Sequence, residues 1–529
     1  MALTQQLWVN IAVGASFLLL LLLYLRAAHG WHARKRGRPL PPGPKRLPFV
    51  GNLFNSPAAW KPWLGFCEMT HKYGDIVYLE IFGKPILILG APGVMSEFLD
   101  RRSAISSSRA QSPIASISAD SGQESIMGFM PYGESWRRHR RVLWQHFHPN
   151  EARNYWPIQQ AATRVLLSKL LEEPSACQAL IRYSFTASVI KTVYGADVID
   201  IEDKRIAIIE GVFLGLRECT ISMQFLLEFL PSLRYLPFWT PWIGKQLRGL
   251  AASKEPSRYM IEDEFDEAKA RIEKSHDGSG VVSQLLATHV GAEKDSRFEE
   301  KRIARNVAAN AAEAGADTTV STTEGFFLAM CLSPEVQEKA RAELDAVVGA
   351  HRLPDLCDRP SLVYIEAILK ETLRWHNVAP LAIPHITIAD DELRGYFIPA
   401  GTSVAPNIWA CLHDPDIYPE PYKFIPERFI KDGELNPDVL DPTSLVFGFG
   451  RRICPGRYYA DAGLFMLIAA VLHVFELYPP LDEHGRPVKL EHVQSHGLLS
   501  YPEAFGCVVK PRSADAEALI IGSQGESVQ

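Results

Sequence analysis

Residues 7–25, LWVNIAVGASFLLLLLLYL, form an almost uninterrupted apolar run whose only strongly polar member is Asn10. As a helix the run spans about 28 Å, the thickness of a bilayer core. The residues before it carry no charged side chain, whereas Arg26, Arg34, Lys35, Arg36 and Arg38 follow it, an asymmetry that keeps the rest of the chain on the cytoplasmic side. The basic residues stand behind the run rather than ahead of it, and the run exceeds a signal-peptide core, so it reads as a retained single-pass anchor. Residues 39–44, PLPPGP, cannot continue a helix and predict a stiff extended spacer.

Beyond that spacer a large core is available, since 47 % of the 529 residues are hydrophobic and 22 % charged. The 55 Lys and Arg against 61 Asp and Glu leave a net charge of −6, which argues against a nucleic-acid partner. Cysteines 67, 177, 219, 331, 357, 411, 454 and 507 show neither clustering nor a C-x-x-C pair, so no disulfide framework or zinc ribbon is expected. P-loop, H-E-x-x-H and G-x-S-x-G patterns are absent. No repeat or long linker divides residues 50–510. The predicted organisation is an anchor over 1–30, a basic, proline-rich linker over 31–49, one catalytic domain over 50–512 and a flexible tail over 513–529. Residues 76–90 predict a two-stranded ribbon broken at Gly83-Lys84, residues 298–333 a long helix, and the proline-interrupted apolar stretch 230–242 a loop at the membrane surface.

The chemistry concentrates from Phe447 onward: FGFGRRICPGRYYADAGLFMLIAAVLHVFEL, a glycine-rich turn, one cysteine and a long apolar helical stretch. Cys454 stands just before a helix N-terminus, where free N–H groups and the helix dipole favour a thiolate, and Gly450 and Gly456 let backbone approach the sulfur. One thiolate cannot close a structural zinc site, but it can be the protein's ligand to an iron whose in-plane ligands come from a porphyrin.

Phe447, Gly450, Arg452, Cys454 and Gly456 fill every specified position of F-x-x-G-x-R-x-C-x-G, and in this the chain resembles the cytochrome P-450 monooxygenases. The resemblance implies a mainly α fold with small β-sheets, preceded here by the N-terminal transmembrane helix, and heme b with Cys454 as axial iron ligand. Glu371 and Arg374 of E-x-x-R, with Arg428 of PERF, occupy the places of the family's buried triad. Six other glutamates also have an arginine three residues later, so the context, not the pattern, singles out this pair. In the 298–333 helix, Ala314 to Thr319, AGADTT, match the family's oxygen-activation motif and make Asp317 and Thr318 the expected catalytic proton relay. The Thr318 hydroxyl is expected to bond the carbonyl of Ala314, opening a groove beside Gly315, whose small size lets the helix lie close to a flat cofactor. Trp136 and Arg140, four apart on one helix face, together with Arg452 and His385, are the expected contacts to the heme propionates. His385 departs from the arginine that many family members carry at that place.

The implied reaction inserts one atom of O2 into a lipophilic small molecule and releases the other as water. Electrons are implied to come from NADPH through a separate NADPH–cytochrome P-450 reductase, with cytochrome b5 admitted as an accessory donor. The resemblance implies a setting in the endoplasmic reticulum membrane with the catalytic domain cytoplasmic, and the sequence resembles fungal secondary-metabolism members of the family. The alternatives are a heme-thiolate isomerase or dehydratase that rearranges a peroxide without a reductase, and a non-catalytic heme binder; the Asp317-Thr318 pair favours the monooxygenase. The substrate pocket is expected to draw on 103–132, 213–225, the helix before Gly315, 378–383 and Leu498-Leu499, segments in which no single charged residue points to an amine or a carboxylate. The arginines at 137, 138, 140, 141, 451 and 457 are expected to form a docking surface on the cysteine side.

Overall fold

The structure, a computed structural model, describes residues 2–57, 61–110, 126–220, 254–275, 278–288 and 294–523, with 235, 240 and 252 as isolated positions between them. The predicted membrane-surface loop at 230–242 therefore lies, apart from Tyr235 and Thr240, outside the described residues.

The chain begins with helix α1 (Ala2–Lys35), which contains the whole apolar run; Trp8, Leu18, Leu19, Leu22 and Leu23 are all exposed. Its end is not free. Arg34 donates to both oxygens of Asp390, Arg38 pairs with Glu392 at 3.2 Å, and Trp31 meets the edge of Phe397 with centroids 5.7 Å apart. The prolines that follow are extended as predicted, but they are laid along the body of the protein. The carbonyl of Pro42 accepts from the Tyr78 N–H and that of Pro39 from the Phe397 N–H. A Cβ on Gly43 would run into the Tyr78 carbonyl.

Strands β1 (Ile76–Ile81) and β2 (Lys84–Leu89) form the predicted antiparallel ribbon. Its turn is one residue earlier than expected, at Phe82-Gly83, because both residues take positive φ (48° and 78°), the geometry that matches the twist of a hairpin. After β3 (His385–Ile386), the hairpin of β4 (Asp391–Leu393) and β5 (Tyr396–Ile398) that holds α1, and β6 (Ser403–Pro406), the main sheet closes in the order β1-β2-β6-β3.

Helices make the remainder of the body: α2 (Glu134–Phe147), α3 (Trp156–Glu172), α4 (Cys177–Tyr194), α5 (Lys204–Thr220), α6 (Lys294–Leu332), α7 (Val363–Trp375) and α8 (Arg457–Val474). Helix α6 extends the predicted 298–333 by four residues at its start and stops before Ser333-Pro334, where proline cannot continue it. At about 58 Å it crosses the molecule. Its first half contributes Val307, Ala308 and Ala312 to one apolar cluster, and its second half Val320, Phe326 and Phe327 to another. Helix α8 is long and apolar enough to cross a membrane, yet 78 % of it is buried inside the protein, so it is a core helix. The predicted tail is also structured in part: Ala514–Ser523 form helix α9, with Ala516 and Ile520 buried. The lack of aromatics suggested a tail, but two apolar residues four apart suffice to seat one helix face.

The triad inferred from sequence closes as a unit. Arg374 Nε and Nη2 donate to the two oxygens of Glu371 at 2.7 and 2.8 Å, with both side chains fully buried. Arg428 Nε adds a third donor at 3.3 Å and the Ile425 N–H a fourth at 2.7 Å. The remaining Arg374 donors go to the carbonyls of Leu412, Pro421 and Lys423, so α7 is fastened to the irregular chain that follows β6. Glu371→Gln leaves two guanidiniums without a counter-charge and is expected to lower the unfolding free energy by about 3–5 kcal/mol. The same change at Glu299, in an exposed pair with Arg302, should cost under about 1 kcal/mol. Urea titrations of the two variants followed by tryptophan fluorescence test the contrast.

Candidate functional site

The cysteine loop is set by two tight glycines. Gly448 and Gly450 have φ of 77° and 50°, and the Cys454 N–H returns to the Phe447 carbonyl at 2.7 Å, folding the loop on itself. Gly450 is required for a second reason. A side chain there would strike the Leu99 carbonyl and Ser103, and its N–H donates to Asp100 Oδ1 at 2.6 Å. The close approach at Gly450 is thus to the 99–103 segment, not to the sulfur, and at Gly456 a Cβ meets no protein atom. As predicted, Cys454 precedes a helix start, with Gly456 as the N-cap of α8. Burial raises the Cys454 thiol, while the Gly456 and Arg457 N–H groups and the charges of Arg140 and Arg457 pull the other way. The sulfur therefore faces donors and cations that stabilise its anionic form.

From Cys454 a chain of positive charge leads inward. Arg140 on α2 is electrostatically coupled to the cysteine and to Arg452, and among the described residues it has neither hydrogen bond nor ion pair. Arg452 donates to the carbonyls of Ser107, Met127 and Met130, and its guanidinium lies 4.3 Å over the Trp136 ring. Burial and the neighbouring Arg140 hold its pKa down at about 10. Arg109, which the sequence reading overlooked, donates to Gly128, Ile383 and Pro384 carbonyls and is 7 % exposed. Burial and the nearby Arg452 push its pKa well below the ordinary arginine value. Among the described residues no carboxylate pairs with any of these three arginines.

His385 stands beside this set with its Nδ1 already engaged. Its Nδ1 lies 2.8 Å from the Ser106 carbonyl, and burial, with Arg109 and Arg452 nearby, keeps the ring neutral. A carbonyl only accepts, so Nδ1 carries the single proton and Nε2 is left as an acceptor. Arg109 places a buried cation in the neighbourhood of His385, beside the expected propionate contact. Two arginines, Arg109 and Arg452, held by backbone carbonyls, and Arg140 without an acceptor among the described residues, next to a half-buried thiol, form a donor set suited to a ligand that brings its own carboxylates and a thiolate-binding metal. Heme, with two propionates and one iron, fits it.

Through the carbonyls it holds, Arg109 adjoins an apolar cavity. Gly128 and Ile383, whose carbonyls hold Arg109, line it, as do Ile126, Phe129, Phe213 and the Leu498-Leu499 pair. Each segment expected to contribute does so, although 111–125 and 221–225 lie outside the described residues. Helix α6 forms one wall. Thr318 lines the cavity, its hydroxyl donating to the Ala314 carbonyl at 2.8 Å as predicted, and Thr319 repeats the bond to Gly315 at 2.7 Å. Gly315 itself faces α4: a Cβ there would stand 3.0 Å from Val189, so its smallness serves helix packing, while Ala314 opens onto the cavity.

Asp317 is not among the lining residues. It is 1 % exposed, pairs with Arg182 of α4 at 3.2 Å and accepts from the Tyr501 hydroxyl. Arg182 in turn pairs with Glu210 of α5 at 2.8 Å. The acid that does line the cavity is Glu313, a residue the sequence reading passed over.

Beside the cysteine loop an open basic depression is lined by Arg137, Arg140, Arg141, Arg451 and Arg457, interleaved with Tyr132, Trp136 and Trp144, so Arg140 and Trp136 face it as well. Arg138 points elsewhere, toward Glu299 at 3.9 Å.

These features agree with what the sequence is similar to. The family model described as cytochrome P-450 matches residues 41–503. The chain is 39 % identical to the cytochrome P-450 monooxygenase COX2 of Coprinopsis cinerea, over 92 % of each protein. It is 37 % identical to COX1 of the same fungus, over 92 % of this chain and 94 % of that one, and 35 % identical to cytochrome P-450 monooxygenase 105 of Postia placenta, over 97 % and 96 %. Gly450→Ala combines positive φ with a backbone clash and is expected to lower stability by about 1–3 kcal/mol, measurable as a fall in thermal midpoint.

Proposed function

The chain belongs to the cytochrome P-450 family, and from that premise we propose that it is a membrane-anchored monooxygenase that oxygenates a lipophilic small molecule with electrons delivered from NADPH by a separate reductase. The observation that carries this reading is the continuity from the Cys454 thiol, through Arg140, Arg452 and Arg109, to the wall of a cavity that contains Thr318. Heme b, held by Cys454 as an electron-rich thiolate ligand, would supply the iron chemistry that activates O2.

The protein's own residues divide the remaining work. Cys454, backed by the Gly456 and Arg457 N–H groups, provides the thiolate. Arg109, Arg140 and Arg452, steadied by Trp136, neutralise the propionates, and Phe447 holds the loop through its carbonyl. Thr318, with its proton on the Ala314 carbonyl, stands at the cavity as a hydroxyl that receives or passes a proton. Asp317, behind it, is a proton source only when it leaves Arg182 and Tyr501. The apolar wall binds the substrate and excludes bulk water. A hydroxyl at the cavity favours the monooxygenase over peroxide rearrangement, which needs no proton relay.

Exposed apolar side chains on α1, followed by a basic cluster, support insertion in the endoplasmic reticulum membrane with the body cytoplasmic. The three relatives named above are fungal, in keeping with a role in secondary metabolism. The basic depression beside Cys454 is the proposed reductase face, which cytochrome b5 would share.

Cys454→His is expected to retain some heme but to lose the strongly red-shifted Soret band of the ferrous carbon monoxide complex; persistence of the band would exclude Cys454 as the ligand. For the electron-transfer face, Arg137 and Arg141 are the pair to change, because Arg138 is turned to Glu299. Changing both to Glu should slow the first heme reduction at low ionic strength about tenfold, with the difference shrinking in high salt and peroxide-supported turnover unchanged. Stopped-flow reduction at two salt concentrations separates this outcome from damage to the heme pocket, which would slow both.

A further inference from the structure

The cavity wall contains one polar group that the foregoing chemistry does not use. Glu313 lies one residue before Ala314 on α6, lines the cavity and is 5 % exposed. Its Oε1 has no hydrogen-bond partner, and among the described residues the carboxyl makes no ion pair. The other polar side chains on that wall are engaged. Asn310, one turn earlier, accepts from the Met127 N–H and donates to the Asn306 carbonyl, both at 2.7 Å. Thr318 donates to Ala314. A buried, unpaired carboxyl in an apolar wall is costly, and natural proteins rarely keep one that nothing satisfies.

Resting on the reading that this cavity receives the substrate, we propose that Glu313 determines specificity by hydrogen-bonding a carbonyl or hydroxyl oxygen on an otherwise lipophilic molecule.

The chemistry of the wall selects among ligand classes. Burial pushes the Glu313 carboxyl up to about 8, so near neutral pH it is mostly protonated and presents one donor and one acceptor. A pure hydrocarbon leaves both unsatisfied. A carboxylate substrate finds no cation among the lining residues, since Arg109 meets the cavity only through the backbone carbonyls it holds. An ammonium would require Glu313 to ionise, placing two charges in an apolar enclosure with no further donor to support them. A ketone or alcohol completes the site with neutral partners. The substrate so recognised already carries an oxygen when it arrives, so the preceding reaction must be one that leaves an alcohol or ketone on a lipophilic skeleton, such as oxygenation of a hydrocarbon or hydration of an alkene.

Matched probes test this on the detergent-solubilised, heme-loaded full chain: cyclododecane against cyclododecanone and n-dodecane against 2-dodecanone, read by the ferric heme spin shift and by calorimetry. The quantity of interest is the ratio of ketone to hydrocarbon dissociation constants. Glu313→Gln keeps a donor and an acceptor and should hold that ratio within threefold. Glu313→Leu should raise it five- to tenfold while hydrocarbon binding stays the same or tightens. Glu313→Met serves the same comparison where the leucine variant folds poorly, and the ferrous carbon monoxide spectrum verifies the heme site in each protein. An unchanged ratio in the apolar variants overturns the proposal. So does tighter wild-type binding of dodecyltrimethylammonium than of 2-dodecanone that is lost in Glu313→Gln, because Glu313 would then act as an anion. Failure of every probe to bind wild type would instead remove the lipophilic-cavity reading, and this proposal with it.

Discussion

The buried contact between Glu371 and Arg374 is the point on which the distal half of the fold turns. Between β6 and α8 the chain has little regular structure, and irregular backbone cannot satisfy its own carbonyls when it is buried. Arg374 solves this by spending three donors on the carbonyls of Leu412, Pro421 and Lys423, while its charge is answered by Glu371. The segment held in this way leads directly to the turn at Gly448 and Gly450, so the position of Cys454 is inherited from a salt bridge on α7. A carboxylate with four donors around it is costly to bury and more costly to disrupt, which gives this meander one arrangement instead of many.

The cation set at the other side of the cysteine follows the opposite logic. Glu371 answers its arginines within the chain, whereas Arg109, Arg140 and Arg452 are left to repel one another. Polypeptide alone gains nothing from holding them together. Their arrangement makes sense as one half of an electrostatic pair whose other half is carried by the cofactor, so binding the cofactor and completing the fold are coupled.

How far the sequence reached depended on whether a local rule decided the outcome. The hairpin at Phe82-Gly83, the hydroxyl bond from Thr318 to Ala314 and the cysteine before α8 all depend on residues a few positions apart, and spacing was enough. Glu313 and Asp317 were a different matter. Both lie in one alanine-rich helix with no clear apolar stripe, and which of them meets the cavity is decided by how α6 packs against α4, with Val189 at Gly315 and Arg182 at Asp317. Arg109 sits in a serine-rich loop without periodicity, so its burial had no local signature. The low pKa of His385 comes from burial beside Arg109, a residue far away in sequence.

The docking of α1 onto the β4–β5 hairpin bears on how the molecule is mounted. A helix of about 51 Å gripped at Trp31 and Arg34, with Arg38 just beyond it, behaves as a strut and not as a tether. On the proposed membrane placement, the tilt of that strut in the lipid fixes the pitch of the whole body over the bilayer. The cavity and the basic depression then face set directions instead of sampling all of them, and a partner diffusing in the same plane meets this protein with much of the orientational search already done.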